Sequence, residues 1–466
     1  MNEAEQTPGR IPLGAYRPGR ADMAALFELA APVSLVQIGL MAMGAVDTIM
    51  VGRVSATALA AVALGNLYFF GMAVFGMGVL FALDPVISQA VGAADTVGIA
   101  RGVQRGGVLA AGLAVVASVL LLPAGPLLSL ARQPVEVVPV AEAYAHGLIA
   151  GVFPFYGFLV LRQSLQAMTR IRPIIVTVLV ANVVNVGLNW VLVFGKLGVP
   201  ALGAEGSAWA TSMSRWFMLL MLATIAWEEL RPAVFPLRRD ALAIPPLRRI
   251  LSVGAPIGAQ QTLEFGVFGA AGLLMGLLGT VAVASHQVAL QLAALTFMIP
   301  VGVAQATSVV VGHAVGRGDP AGARRSVGAG LAAATAFMSF TALMFLTLPG
   351  PLARAFSNDQ TVVGAAAMLL PIAGVFQVFD GLQVTGAGAL RGVGDTRVPM
   401  LLNLFGFWVI GLPACWWLGF GLGLGPEGIW WGLALGIGLV AVLLMARIRR
   451  RFGRELRRLV IDEDPA

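Results

Sequence analysis

The sequence predicts an all-α polytopic membrane protein: twelve transmembrane helices in two six-helix bundles related by a pseudo-two-fold axis along the membrane normal. Three observations carry that prediction. Of 466 residues, 58% are apolar and only 11% charged, against about 45–50% and about 25% in soluble domains, and the mean hydropathy is +0.87. Basic residues fall almost entirely into alternate connections between apolar stretches. Groups of residues recur once, half a chain apart. This composition excludes a disordered chain, a disulfide scaffold and a nucleic-acid-binding domain.

The apolar stretches run over 25–48, 57–84, 106–131, 137–160, 173–195, 206–227, 251–278, 282–311, 327–348, 361–385, 399–420 and 428–446. A spanning helix needs about 20 apolar residues, whereas a barrel strand needs about 9–11 and alternates polar with apolar, so each stretch reads as a helix. Pro32, Pro154, Pro256, Pro300 and Pro371 are expected to kink or unwind their helices locally. With the N-terminus cytoplasmic, inside segments hold 25 of the 30 basic residues. Outside loops hold Arg53, Arg132, Lys196 and Arg354, and Arg215 lies within the sixth span. Cytoplasmic loops are enriched in Lys and Arg, and one missed helix would invert the pattern beyond it. The pI near 10.6 therefore reports topology and not an anionic partner.

The first 22 residues, with three prolines and three arginines, lack the apolar core of a cleavable leader and read as a cytoplasmic tail. The expected organisation is that tail, an N-terminal bundle over 23–228, a cytoplasmic linker over 229–249, a C-terminal bundle over 250–447 and a basic tail over 448–466. The single cysteine, Cys415, lies in an apolar run and forms no intramolecular disulfide. Ala31-Pro32 recurs as Ala255-Pro256, and Ala90-Val91-Gly92 with Asp95 recurs as Ala314-Val315-Gly316 with Asp319, all at an offset of 224. Gly203, Glu205, Gly206 and Trp209 recur as Gly425, Glu427, Gly428 and Trp431. Each half is thus a six-helix unit, and six being even, both halves start on the same side. That is the pattern of transporters built from parallel repeats, with a cavity between the halves.

The residues that enzymes need are missing. Lys196 is the only lysine and sits in no phosphate-binding Gly-rich loop, and His146, His286 and His313 are scattered, so neither an internal ATPase nor a metalloenzyme is expected. What remains are carboxylates inside apolar stretches: Asp47 in span 1, Glu264 in span 7 and Asp380 in span 10. A charge at the bilayer centre costs about 2.5 kcal/mol or more, so such groups face a cavity, a partner or an ion. Asp84, followed by Pro85, reads better as a helix-end cap. Asn185 and Asn189, four apart in span 5, share a face; their amides suit either a cation site or bonding between helices.

Together these residues carry a resemblance. Val46-Asp47-Thr-Ile-Met-Val-Gly52, Gln89-Ala-Val-Gly-Ala93, Asn185-Val-Gly-Leu-Asn189-Trp, Pro256 with Glu264, Ser285-His-Gln-Val-Ala-Leu290, Val311-Gly-His-Ala-Val-Gly316, and Asp380 ahead of Gly386-Ala-Gly-Ala-Leu-Arg-Gly392 resemble the multidrug and toxic compound extrusion (MATE) family and its NorM-type branch. The match runs in order from about residue 25 to 445. The resemblance implies a secondary antiporter that exports organic, often cationic, compounds in exchange for sodium ions or protons by alternating access. By position, it implies cation-coupling roles for Asp47, Asn185, Asn189, Glu264 and Asp380, with sodium at Glu264 and Asp380. Asp47, Gln287, Phe376 and Asp380 would line the substrate cavity. Phe376 departs from the pattern, since NorM-type relatives can carry a tyrosine there.

No cofactor is expected beyond the coupling ion. The expected partners are small organic cations or amphiphilic drugs and the lipid bilayer, with no nucleic acid and no ATPase, and the chain reads as a monomer. The Arg-rich, Lys-poor composition fits a bacterial inner membrane, crossed many times with both termini cytoplasmic. The alternative is a lipid-linked oligosaccharide flippase of the same wider superfamily. That carrier would need basic residues for a pyrophosphate, whereas the intramembrane charges here are mainly acidic.

Overall fold

The computed structural model describes residues 12–462. The ends of both expected tails, residues 1–11 and 463–466, lie outside the described residues. No strand occurs among the described residues. After a short turn at Leu13–Tyr16 the first half holds α1 (Arg20–Gly52), α2 (Ala56–Leu80), α3 (Leu83–Gly92), α4 (Thr96–Leu121), α5 (Ala124–Leu130), α6 (Val138–Ile149), α7 (Val152–Ala167), α8 (Arg172–Phe194), α9 (Gly203–Ile225) and α10 (Trp227–Val234). The second half holds α11 (Ile244–Leu277), α12 (Thr280–Gly316), α13 (Pro320–Thr347), α14 (Pro349–Arg354), α15 (Gln360–Gly392), α16 (Arg397–Asn403), α17 (Leu412–Trp416) and α18 (Gly425–Phe452).

Nine spans among the described residues are long and apolar enough to cross a membrane, counting α2–α3 and the run from α16 to Gly421 as one each; joining α6 and α7, bent by 50°, makes ten. The remaining two of the expected twelve are α9 and α11. Both carry polar side chains of the sites below: Thr211 and Arg215 on α9, and Gln260 and Glu264 on α11. Leu, Val, Phe and Trp side chains such as Val115, Val119, Leu343 and Trp417 remain exposed on helix surfaces. That is costly in water and ordinary in lipid.

Helix starts follow from local chemistry. The side chains of Ser55, Asp95, Asp319 and Asp359 accept hydrogen bonds from backbone N–H groups at the starts of α2, α4, α13 and α15. Asp95 and Asp319 are repeat partners, and the residues before them, Ala94 and Gly318, both hold positive φ. The recurring sequence therefore builds the same turn twice. Asp84, by contrast, is no cap. It is fully buried within the first turn of α3 and accepts from Gln163 at 2.8 Å.

Four of the five prolines leave their helices unbroken. α1, α11, α12 and α15 each continue through Pro32, Pro256, Pro300 and Pro371. In the fourth span the bend comes at Ala150–Gly151, and Pro154 sits in the first turn of α7, where its missing N–H costs nothing. The eleventh span is π-helical over Leu404–Gly411 and Trp417–Gly421. With i→i+5 bonding, Gly406 and Gly411 fall on one side, and both approach Gly436 of α18.

The chain divides into two compact units. One holds residues up to Ser34 together with Ala259–Val460; the other holds Leu35–Gly258 with Ile461 and Asp462. These bounds differ from the expected 23–228 and 250–447: the cuts after Ser34 and Gly258 fall inside helices, just after the repeated Pro32 and Pro256. The expected linker at 229–249 is largely helical, occupied by α10, a short turn at Arg239–Leu242 and the start of α11. In the N-terminal unit, Gln104 of α4 donates to the carbonyls of Ala233, Val234 and Pro236 and accepts from the backbone N–H of Arg238. Arg105, also on α4, grips the Asp462 carboxylate bidentately at 2.6 and 3.0 Å. The C-terminal unit is cored by Phe345, Phe376, Phe407, Trp430 and Phe452, none more than 2% exposed.

Candidate functional site

In the N-terminal unit α1 delivers Asp47, only 3% exposed. Asn189 of α8 donates to its Oδ1 at 2.7 Å and Thr211 of α9 to its Oδ2 at 2.8 Å. Asn185, one helical turn before Asn189, turns its amide toward the same carboxylate, yet neither its nitrogen nor its oxygen reaches hydrogen-bond geometry with any described protein group. Asn189 Oδ1 is likewise buried without a partner. Around this cluster Tyr144 of α6 donates to Asn66 of α2 at 3.1 Å, and Arg215 lies one turn beyond Thr211. The Arg215 guanidinium carbon stands 4.2 Å above the Phe69 ring and 5.1 Å from that of Phe155. No ion pair forms between Asp47 and any described Lys or Arg.

In the C-terminal unit α11 delivers Glu264. Its Oε1 accepts from Gln260, one turn earlier on the same face, at 3.1 Å and from Gln383 of α15 at 2.6 Å. Gln383 also donates to Asn403 of α16 at 3.1 Å. Asp380, three residues before Gln383 and so on the same face, lies within electrostatic reach of Glu264. Neither acid has an ion-paired Lys or Arg among the described residues. Two carboxylates sharing an apolar site cannot both stay charged unless a proton or a cation joins them. Among the described residues no group of three or more His, Cys, Asp or Glu could hold a metal. The available donors are carboxyl and amide oxygens, which suit protons and hard monovalent cations and not transition metals.

The other two expected site residues stand apart. Phe376 is 2% exposed in an aromatic cluster, 5.9 Å from Trp430 and 6.1 Å from Phe268 between ring centroids. It packs within the buried cluster of the C-terminal unit. Its neighbour Gln377 accepts from Thr341 at 2.8 Å and donates to Thr296 at 2.9 Å. Gln287 is exposed on α12, while adjacent His286 is buried with its ring against Trp430.

Sequence reasoning missed Thr211, Tyr144, Gln260, Gln383 and Asn403. For three of these a signal existed: a polar residue three or four positions from a flagged charge in an apolar stretch, as Gln260 is to Glu264, Gln383 to Asp380 and Thr211 to Arg215.

Comparison with known proteins follows the same division. The MatE family model matches residues 32–191 and 256–417, once in each half. The chain is 37% identical to the multidrug resistance protein PmpM of Pseudomonas aeruginosa over 98% of this chain and 98% of that protein. It is also 37% identical to the probable multidrug resistance protein NorM of Bradyrhizobium diazoefficiens over 91% of this chain and 92% of that one. The fold matches that of the eukaryotic MATE transporter AtDTX14 with a TM-score of 0.87 at 23% identity, covering 94% of this chain and 98% of that one. A repeated family match, near-full-length relatives and a shared helical fold lead to one conclusion: this multi-span membrane protein belongs to the MatE family of transporters, in its NorM-type branch.

Proposed function

We propose that the chain exports organic, mostly cationic or amphiphilic, compounds across a bacterial cytoplasmic membrane in exchange for sodium ions or protons. It does so as a monomer with both termini inside and needs neither an ATPase partner nor a cofactor. The observation that carries this reading is the Glu264–Asp380 pair. Glu264, held by Gln260 and Gln383, lies within electrostatic reach of Asp380, and neither acid forms an ion pair with a described Lys or Arg. The names of the relatives, multidrug resistance proteins, support the substrate class.

Competition supplies the mechanism. With the acids ionised, a cationic amphiphile is held by charge and apolar contact. When protons or sodium ions occupy Asp47, Glu264 and Asp380, that attraction falls and the compound leaves outward. The coupling ion drives the cycle only because it favours one conformation over the other. Asp47 with Asn185 and Asn189 acts as the cation site of the N-terminal unit, and Glu264 with Asp380 as that of the C-terminal unit. The test is ethidium efflux from cells with sodium and pH gradients varied independently. The triple variant Asp47→Asn, Glu264→Gln, Asp380→Asn should reach the membrane yet fail to extrude ethidium; extrusion against a gradient by that variant overturns the proposal.

A further inference from the structure

Arg215 is the one basic side chain that the sequence places inside a span, and coupled cation exchange gives it no task. An intramembrane arginine ordinarily pairs with a carboxylate or with backbone carbonyls. Here the guanidinium makes no hydrogen bond or ion pair with the described protein, and Nη1 is wholly enclosed without an acceptor. The nearby carboxylate, Asp47, is already engaged through both oxygens by Asn189 and Thr211. The tyrosine hydroxyls around it point elsewhere: Tyr144 donates to Asn66 and Tyr156 to the Ala73 carbonyl. Its guanidinium carbon stands instead 4.2 Å over the Phe69 ring, with the Phe155 ring at 5.1 Å. Gly151 makes room for the stem, because a Cβ there would stand 3.1 Å from Arg215 Cδ.

That arrangement leaves a specific capacity unused. A cation–π contact offers charge complementarity but no hydrogen-bond acceptor, so the guanidinium N–H donors remain unpaired. Its edge is the part that matches a carboxylate, two parallel hydrogen bonds at a time. Thr211 and Arg215, four apart on α9, share a helical face. Because Thr211 is bonded to Asp47, the site presents, about one turn of α9 apart, an acid that takes a cationic group and a base that takes an anionic one, with the rings of Phe69 and Phe155 beside the base.

We infer that Arg215 is a specificity-determining residue that receives the carboxylate of amphoteric aromatic substrates whose cationic end meets Asp47. This inference rests on the efflux reading above and assigns a residue to the recognition of its zwitterionic substrates.

The experiment uses the full chain in proteoliposomes under an imposed ion gradient, comparing norfloxacin, which carries both an amine and a carboxylate, with its methyl ester, which keeps only the amine. The readout is the ratio of the two transport rates. Arg215→Gln should lower the norfloxacin-to-ester ratio about tenfold or more, the worth of a charged bidentate contact. Arg215→Lys keeps the charge and the electrostatic balance of the folded unit, but as a point donor it should also lower the ratio, by less. A ratio unchanged in both variants, whether the two rates hold or fall together, overturns the inference, and a joint fall would make Arg215 a general counter-charge. If the wild type moves neither compound, the efflux reading itself fails, which a changed or unchanged ratio does not imply.

Discussion

Asp47, Glu264 and Asp380 were legible in the sequence because a charge in an apolar stretch has few structural explanations. Their partners were not. An asparagine or glutamine within a membrane helix bonds to another helix as readily as to an acid, and helical periodicity says which face a residue occupies but not which helix it meets. Thr211 shows the difference, since only the structure brings its hydroxyl to Asp47 Oδ2. Thr211→Val keeps the shape and removes one of two hydrogen bonds to that carboxylate, a contact worth about 1.5–3 kcal/mol when the acceptor is charged. Efflux should fall roughly tenfold with the protein still in the membrane. Unchanged efflux would mean that the Asp47 cluster is only structural. Phe376, given a cavity role by resemblance, packs against the rings of Phe268 and Trp430.

At the scale of elements, the twelve apolar stretches each became a helical path, because burying backbone hydrogen bonds in lipid leaves a helix little alternative. Hydropathy is blind to what the backbone does within a stretch. It does not register the break at Phe81–Ala82, the 50° bend between α6 and α7 or the π turns of the eleventh span. Close packing is also invisible until helices are placed together. A Cβ on Gly388 of α15 would fall on the backbone carbonyl of Ala304 in α12, while Gly187 of α8 has nothing within 4 Å of that position. Gly388→Ala should therefore destabilise the protein by about 1–3 kcal/mol through overpacking. Gly187→Ala should stabilise it by about 0.5–1 kcal/mol, since alanine suits a helix interior better than glycine. Thermal melting of the detergent-solubilised protein checks both, and equal melting temperatures would contradict the packing assigned to α12 and α15.

For the whole molecule, the sidedness of arginine and the half-chain repeat pointed to the topology and the two-unit plan. The bounds of the units were beyond the sequence, because the cuts after Pro32 and Pro256 fall inside continuous helices. The grouping of Ile461 and Asp462 with the N-terminal unit was equally unreadable in a short polar tail. Burial acts to raise the Asp462 carboxyl, but the hydrogen bonds and charges of Arg105 and Arg101 outweigh it and hold the group below the usual carboxylate range. A carboxyl lowered on folding contributes stability that is full above its unfolded value of about 3.9 and is lost as pH falls through its lower folded value. Asp462 is one-third exposed, so solvent screening keeps the contribution to about 1 kcal/mol or less. The melting temperature of the wild type should fall further on acidification below about pH 4 than that of Asp462→Asn. Parallel curves would show that the Arg105 contact adds nothing.

Conversion of an ion gradient into export by Glu264 and Asp380 is measured by imposing sodium and proton gradients, separately and in both directions, on proteoliposomes loaded with a fluorescent cation. Substrate should move against its own gradient in the wild type, reverse direction when the driving gradient is reversed, and stop responding to either gradient in the Glu264→Gln, Asp380→Asn protein. Gradient-driven accumulation that persists in the doubly substituted protein, or wild-type movement that ignores both gradients, would contradict that role.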